Sequence, residues 1–156
     1  MLKKARNNMM LNKKTNTLLG KILISAKMYR KAAEHVHFEQ LSEDFLKVAM
    51  QREQYFLDCC VASNADPDKF KLSTGEQVKF TFEKLMLAFD DIVIKNNHNE
   101  MRFFCPQRDQ ELVEADMMVI PCIVSTNPLY KMLEYQMHEV AQEKKSLELL
   151  VQEESL

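Results

Sequence analysis

The sequence predicts an all-α chain, folded as one antiparallel helical bundle, and three observations carry that prediction. Gly occurs only twice and Pro four times in 156 residues, whereas a β-rich chain of this size needs many tight turns, which those two residues mostly supply. Apolar residues recur at three- and four-residue steps in one segment after another, the spacing of a single helix face. The length suits one domain able to bury a core without staples, and 46% apolar with 28% charged residues is a globular composition. The chain has 11 Met and no Trp; Met is a good helix former and a soft core filler, so this content points to packing, not to a metal cluster.

Residues 1–15 read as a flexible basic tail, followed by a single helical domain over 16–152. Asn16 or Thr17 is the expected cap of the first helix, whose inward stripe is Ile22, Ala26, Tyr29, Ala33 and Val36. His37–Gln40 forms a turn, and Ser42 is the expected cap of a second helix, with Glu43 and Asp44 at the positive end of its dipole. The second stripe is Phe45, Val48, Arg52, Tyr55, Cys59 and Ala62, and the short connection implies an antiparallel hairpin. A polar linker is expected over Asn64–Gly75, ended by a capping box of Ser73 and Glu76.

Val78, Phe82, Leu85, Phe89 and Ile92 line the third helix, which Asn96-Asn97-His98-Asn99 breaks. The next segment, about 100–120, carries Met101, Cys105, Leu112, Ala115 and Val119. Pro106 either kinks a helix that starts near His98 or occupies the first turn of one that starts near Cys105. Pro121 ends this segment, residues 121–127 form a loop, and Asn127-Pro128 opens a last helix lined by Leu129, Leu133, Gln136, Val140, Leu147 and Leu150. The expected architecture is four helical elements, the third broken or supplemented by one extra helix.

Charge is unevenly placed. Met1–Ala33 holds nine basic residues and no acid, while the remainder holds 12 basic and 23 acidic residues, a balance of −11. A basic arm for nucleic acid or an anionic membrane surface is one consequence. Few Arg and no interleaved aromatics argue against base contact, so internal complementarity is the preferred expectation: the basic first helix lies beside the acidic last one, with Glu134, Glu139, Glu143, Glu148, Glu153 and Glu154. The four cysteines, Cys59, Cys60, Cys105 and Cys122, form no CxxC pair, which excludes zinc-finger and thioredoxin-like spacings. With no secretory leader or membrane-length apolar run, they are expected as reduced thiols in a cytoplasmic protein. Two glycines cannot build a phosphate-cradling loop, and no nucleophile elbow occurs.

Two constellations remain. Glu34 and His37 have the Glu-x-x-His spacing, and Glu134 and His138 share a helix face. With Asp109 they are the candidate ligands of an iron or manganese pair. The first lies at a helix end, however, and no second Glu-x-x-His exists, so the acids read as solvated faces, with His35 or His37 suited at most to an adventitious ion. The second constellation is interior. Arg52 falls on the core stripe of the second helix and Gln136 on that of the last. A charge there must be paired, and Asp109 is the expected partner; an internal site for a small ligand and a purely structural ion pair are both consistent with this, as is an Arg that snorkels outward.

The stretch Met28-Tyr29-Arg30-Lys31-Ala32-Ala33-Glu34-His35-Val36, followed by Leu41, Phe45, Ala49, Gln51-Arg52 and Tyr55, resembles an uncharacterised ferritin-like family, domain of unknown function 2383. Cys105 followed by Asp109 resembles that family's cysteine-and-acid segment, and the order of helices agrees. The resemblance implies a ferritin-like four-helix bundle and metal binding among its relatives. This chain departs from the pattern where acids precede the Tyr-Arg step, carrying Ser25, Ala26 and Lys27, and after the cysteine, carrying Pro106. A site short of acids on two helices lacks the compensating charge for two cations. The expectation is a ferritin-like binding or stress-related accessory protein without a working metal centre or other cofactor. A metal-dependent oxidoreductase or metal store is the alternative, and a nucleic-acid or membrane-surface binder the next. No partner is named by the sequence, beyond self-association as a homo-oligomer.

Overall fold

The structure, a computed structural model, describes the backbone of residues 2–95 and 98–154 and the side chains of 13–71, 75–95 and 100–145. Among these residues every regular element is helical: α1 (Leu2–His35), α2 (Glu39–Ala62), α3 (Pro67–Ile94), α4 (His98–Val119) and α5 (Pro128–Glu154), with a 3₁₀ turn at Ile120–Cys122. The all-helical expectation holds, and the broken third element is a pair of separate helices. No described helix is long and apolar enough to cross a membrane.

The inward stripes fall where the spacing puts them. Ile22, Ala26, Tyr29 and Ala33 are buried on α1 and Val36 just past its end, as are Met101, Cys105, Leu112, Ala115 and Val119 on α4. On α5, Leu129, Leu133, Gln136 and Val140 are buried, while the side chains of Leu147 and Leu150 lie outside the described residues.

Helix boundaries differ more. The first helix begins at Leu2, ahead of the Asn16–Thr17 cap. Ser42 is not a cap: α2 begins at Glu39 behind Phe38, and the Ser42 hydroxyl donates to the Ala33 carbonyl at 2.6 Å, tying the start of α2 to the end of α1. At the far end of α2, Asn64 takes a left-handed φ of 56°, and the amides of Ala65 and Asn64 donate to the Cys60 and Val61 carbonyls. This is the Schellman arrangement, in which Asn is the common substitute for Gly. The expected linker is helical from Pro67, because Asp66 caps that turn by accepting the Asp68 amide at 3.0 Å. An Asx cap followed by Pro at the first position is a complete start signal, and it displaces the Ser73–Glu76 box, which lies inside α3. Asn127 caps α5 as expected, accepting from the Leu129 amide at 3.0 Å. Asn96 and Asn97 lie outside the described residues.

Pairings fix the directions. Arg30 meets Glu53 while Ala33 meets Ser42, Lys21 meets Glu111 while Tyr29 meets Asp109, and Cys59 meets Gln136 while Gln51 meets Glu143. Helices α1 and α2, α1 and α4, and α2 and α5 therefore run antiparallel. Contacts of α1 with α2 and α4, and of α5 with α2 and α4, close a ring of four helices, while α3 packs on the outside of α1 and α4. The basic first helix thus does not face α5, as complementarity of charge suggested. Three of its described bases find acids, on α2 (Arg30–Glu53, 2.7 Å), on α4 (Lys21–Glu111, 3.4 Å) and on α1 itself (Lys31–Glu34, 3.4 Å).

Candidate functional site

Arg52 is fully buried at the centre of the four-helix ring. Its Nη2 lies 3.4 Å from Oδ2 of Asp109 on α4 and 3.2 Å from Oε2 of Glu143 on α5, and its Nη1 donates to the Gln51 side-chain carbonyl. The rings of Tyr29 and Tyr55 lie 5.8 and 5.5 Å from the guanidinium carbon. A planar, weakly hydrated cation is the basic group best suited to such a position. Only its Nε finds no partner.

The carboxylates are held in turn. Tyr29 donates its hydroxyl to Asp109 at 2.5 Å, with Ser25 Oγ at 3.5 Å from the other oxygen. Tyr55 donates to Glu139, and Gln51 Nε2 donates to Glu139 at 2.6 Å and Glu143 at 2.9 Å. Every helix of the ring therefore contributes. Burial pushes the Asp109 carboxyl above the usual range, with Arg52 and the Tyr29 hydroxyl pulling it back. The Arg52 guanidinium is held protonated: burial acts against its charge, but Asp109, Tyr29 and Glu143 outweigh it. Burial, then the Asp109 charge, raises the Tyr29 phenol well above its ordinary value.

A second buried acid lies further along α4. Asp116 is 1% exposed and its Oδ1 has no hydrogen-bond partner. Burial pushes it up to about 8, with Arg52 acting weakly in the other direction. At neutral pH it is a protonated acid, which is far less costly to bury than a carboxylate. Gln136, on the inner face of α5, accepts from the Cys59 thiol at 3.6 Å and not from Arg52. Burial holds the thiols of Cys59, pushed up to about 12, and Cys105 in the protonated, unreactive form.

The cluster opens onto a cavity of about 620 Å³ between the α1–α2 connection, α4 and α5. Its walls are apolar, formed by Phe38, Leu41, Phe45, Val48 and Pro106, and its floor is Tyr29, Asp109 and Glu143. Glu39, Asp44, Arg102 and Lys144 stand at its rim. Pro106 lies inside α4; having no N–H, it cannot donate to the carbonyl four residues back, and its ring instead completes the cavity wall.

Of the residues singled out by sequence, Arg52 and Asp109 come together, and Gln136 is interior but bonded elsewhere. Glu34, His37, Glu134 and His138 are all exposed and apart. Glu34 pairs with Lys31, and the His138 ring lies 3.2 Å from the Gln142 amide. His35 is also not a core ligand, its Nδ1 lying 3.0 Å from Asp90 on α3. The described residues gather no three metal-ligating side chains in one place. An iron or manganese pair does not fit the centre of the ring: a guanidinium lies among its carboxylates, each of which is already hydrogen-bonded. The participants that sequence spacing did not mark are Tyr29 and Tyr55, read only as core residues, and Gln51, Glu139, Glu143 and Asp116. The comparisons with protein-family models, curated proteins and solved structures find no match for this chain.

Proposed function

We propose that the chain is a ferritin-like bundle in which Arg52 and its carboxylate partners fill the interior where a di-metal centre would otherwise lie, and that it acts as a non-catalytic binding or accessory protein with no resident metal. The observation that carries this reading is the apolar-walled cavity ending on Asp109 and Glu143. About 620 Å³ is within the usual range for a small-molecule site. The floor carboxylates are already paired with Arg52, yet the four lining carboxylates still outnumber Arg102, Lys144 and Arg52 together, so the cavity keeps an excess of hydrogen-bond acceptors and of negative charge. That chemistry favours an apolar body carrying an amine head. No activated nucleophile accompanies it, since the described thiols of the interior are protonated.

Isothermal titration with octylamine and octanoate tests the reading. Octylamine should bind and raise the melting temperature, octanoate should not, and Val48→Trp, which fills the wall, should abolish the effect. Equal or tighter binding of octanoate, or unchanged binding in Val48→Trp, overturns it. Elemental analysis of protein purified without chelator supplies the independent arm: two iron or manganese atoms per chain would establish the metal-store or oxidoreductase alternative instead.

A further inference from the structure

Helix α2 presents a second apolar stripe, directed away from the ring. Leu46, Met50, Leu57 and Val61 are 40, 58, 42 and 77% exposed. At 3.6 residues per turn they fall within roughly 60° of arc, outside the buried stripe of Leu41, Phe45, Ala49, Arg52, Tyr55 and Cys59 on the same helix. Solvated helix faces rarely carry four large apolar residues in register.

The stripe has a symmetry of its own. Leu46 and Val61 lie equally far from the midpoint between Glu53 and Gln54, and so do Met50 and Leu57. A helix patterned in this way is complementary to itself when a second copy lies against it in the opposite direction, which is the requirement of an isologous two-fold interface. We propose that α2 is the dimerisation helix of this protein, docking antiparallel on α2 of a second copy. Leu46 then packs on the partner subunit's Val61, and Met50 on the partner subunit's Leu57.

The flanking charges fit the same register. In an antiparallel pair related by a two-fold axis, like flanks face each other. Lys47 and Asp58 share one flank, and neither has an ion-pair partner among the described residues. The two-fold brings Lys47 within two residues, about 3 Å along the axis, of the partner subunit's Asp58, and repeats the pair on the opposite side of the midpoint. On the other flank Glu53 approaches its own symmetry copy. That contact is tolerable because Arg30 already holds Glu53 through two bonds of 2.7 and 2.9 Å. A single helix per copy makes a small interface, so the dimer should dissociate on dilution.

Light scattering after size exclusion, run over a concentration series with the full chain, tests this. The wild type should reach twice the chain mass at about 100 µM, well above a micromolar dissociation constant. Met50→Glu should remain monomeric with an unchanged helical circular dichroism spectrum. Lys47→Asp and Asp58→Lys should each weaken the dimer by about tenfold or more, because each replaces two attractions by two repulsions. The double variant restores both pairs and should return to the wild-type constant. A monomeric wild type, a dimeric Met50→Glu, or a double variant no tighter than the singles overturns the proposal. Its failure leaves the cavity reading untouched, since none of the three substituted positions, Lys47, Met50 and Asp58, lines the cavity.

Discussion

The two faces of α2 each depart from the usual partition of residues, the inner one at a single position among apolar neighbours and the outer one along a stripe. The face turned into the ring carries Arg52, fully buried, while the face turned outward carries Leu46, Met50, Leu57 and Val61. A buried guanidinium loses several kcal/mol of hydration, which its ion pairs only roughly offset, and a well-packed apolar side chain would often serve stability as well or better. The outward stripe gives the isolated chain less stability than a core stripe would, because its side chains stay 40 to 77% exposed. Neither face is therefore explained by folding alone. The inner one organises a polar floor for the cavity, and the outer one a self-complementary surface. Substitutions on the two faces should separate these roles.

The largest effect is expected inside. Arg52→Ala leaves Asp109 and Glu143 facing each other without their cation, and should destabilise the fold by about 3–5 kcal/mol in denaturant titration. A loss below about 0.5 kcal/mol would show that water replaces the guanidinium at no cost and that the inner face is effectively solvated. Asp116 gives the next effect, and it is read through pH. Its folded pKa, about 8, lies above the unfolded carboxylate value of 3.8, so the folded state binds the proton more tightly. Its contribution is fully present below about pH 4, falls as pH rises, and is lost above about pH 8, a change on the order of a few kcal/mol. Asp116→Asn should flatten that part of the profile. Parallel wild-type and variant profiles between pH 5 and pH 8 would show instead that the acid is ionised in the folded protein.

How much of this was legible in the sequence follows from what periodicity can encode. Spacing assigns a residue to a face of its own helix, so the α1 and α4 stripes, and Arg52 as a charge on an apolar stripe, were legible. Asp109 could be named as its partner only on the condition that its helix faces Arg52, which it does. Spacing does not say which neighbour a face meets. Glu139 and Glu143 were therefore expected beside the basic first helix, whereas they face Gln51, Arg52 and Tyr55 on α2. Tyr29 and Tyr55 were placed correctly as core, but the bonds made by their hydroxyls depend on the helix opposite. The boundary errors have a different cause. At α3 two start signals compete, and Asp66-Pro67 comes first; the helix then runs through Gly75 at a propensity cost of only about 1 kcal/mol. At α4, burial of Met101, Phe104 and Cys105 holds together a helix that Pro106 alone would interrupt.

Two smaller effects sharpen the contrast further. Tyr29→Phe keeps the ring beside Arg52 but removes the hydroxyl that donates to Asp109. A hydrogen bond to a charged group is worth about 1.5–3 kcal/mol, so the loss should fall there and be smaller than that of Arg52→Ala. If the two losses were equal, the hydroxyl, not the cation, would be the main support of Asp109.

The smallest effect belongs to the outer face. Val61→Ala removes two methyl groups from a side chain that is 77% exposed, so little apolar area returns to water in the isolated chain. Measured at a concentration where the chain is monomeric, its unfolding free energy should stay within about 0.5 kcal/mol of the wild type. At high concentration the same substitution should lower the apparent stability further, because an assembly that binds only the folded state stabilises it by mass action. A concentration-dependent cost on the outer face beside a concentration-independent one at Arg52 is the signature expected if the two faces of α2 serve assembly and the cavity separately. A Val61→Ala loss of several kcal/mol in the monomer would mean that the stripe packs within the chain, and would remove the distinction between the faces.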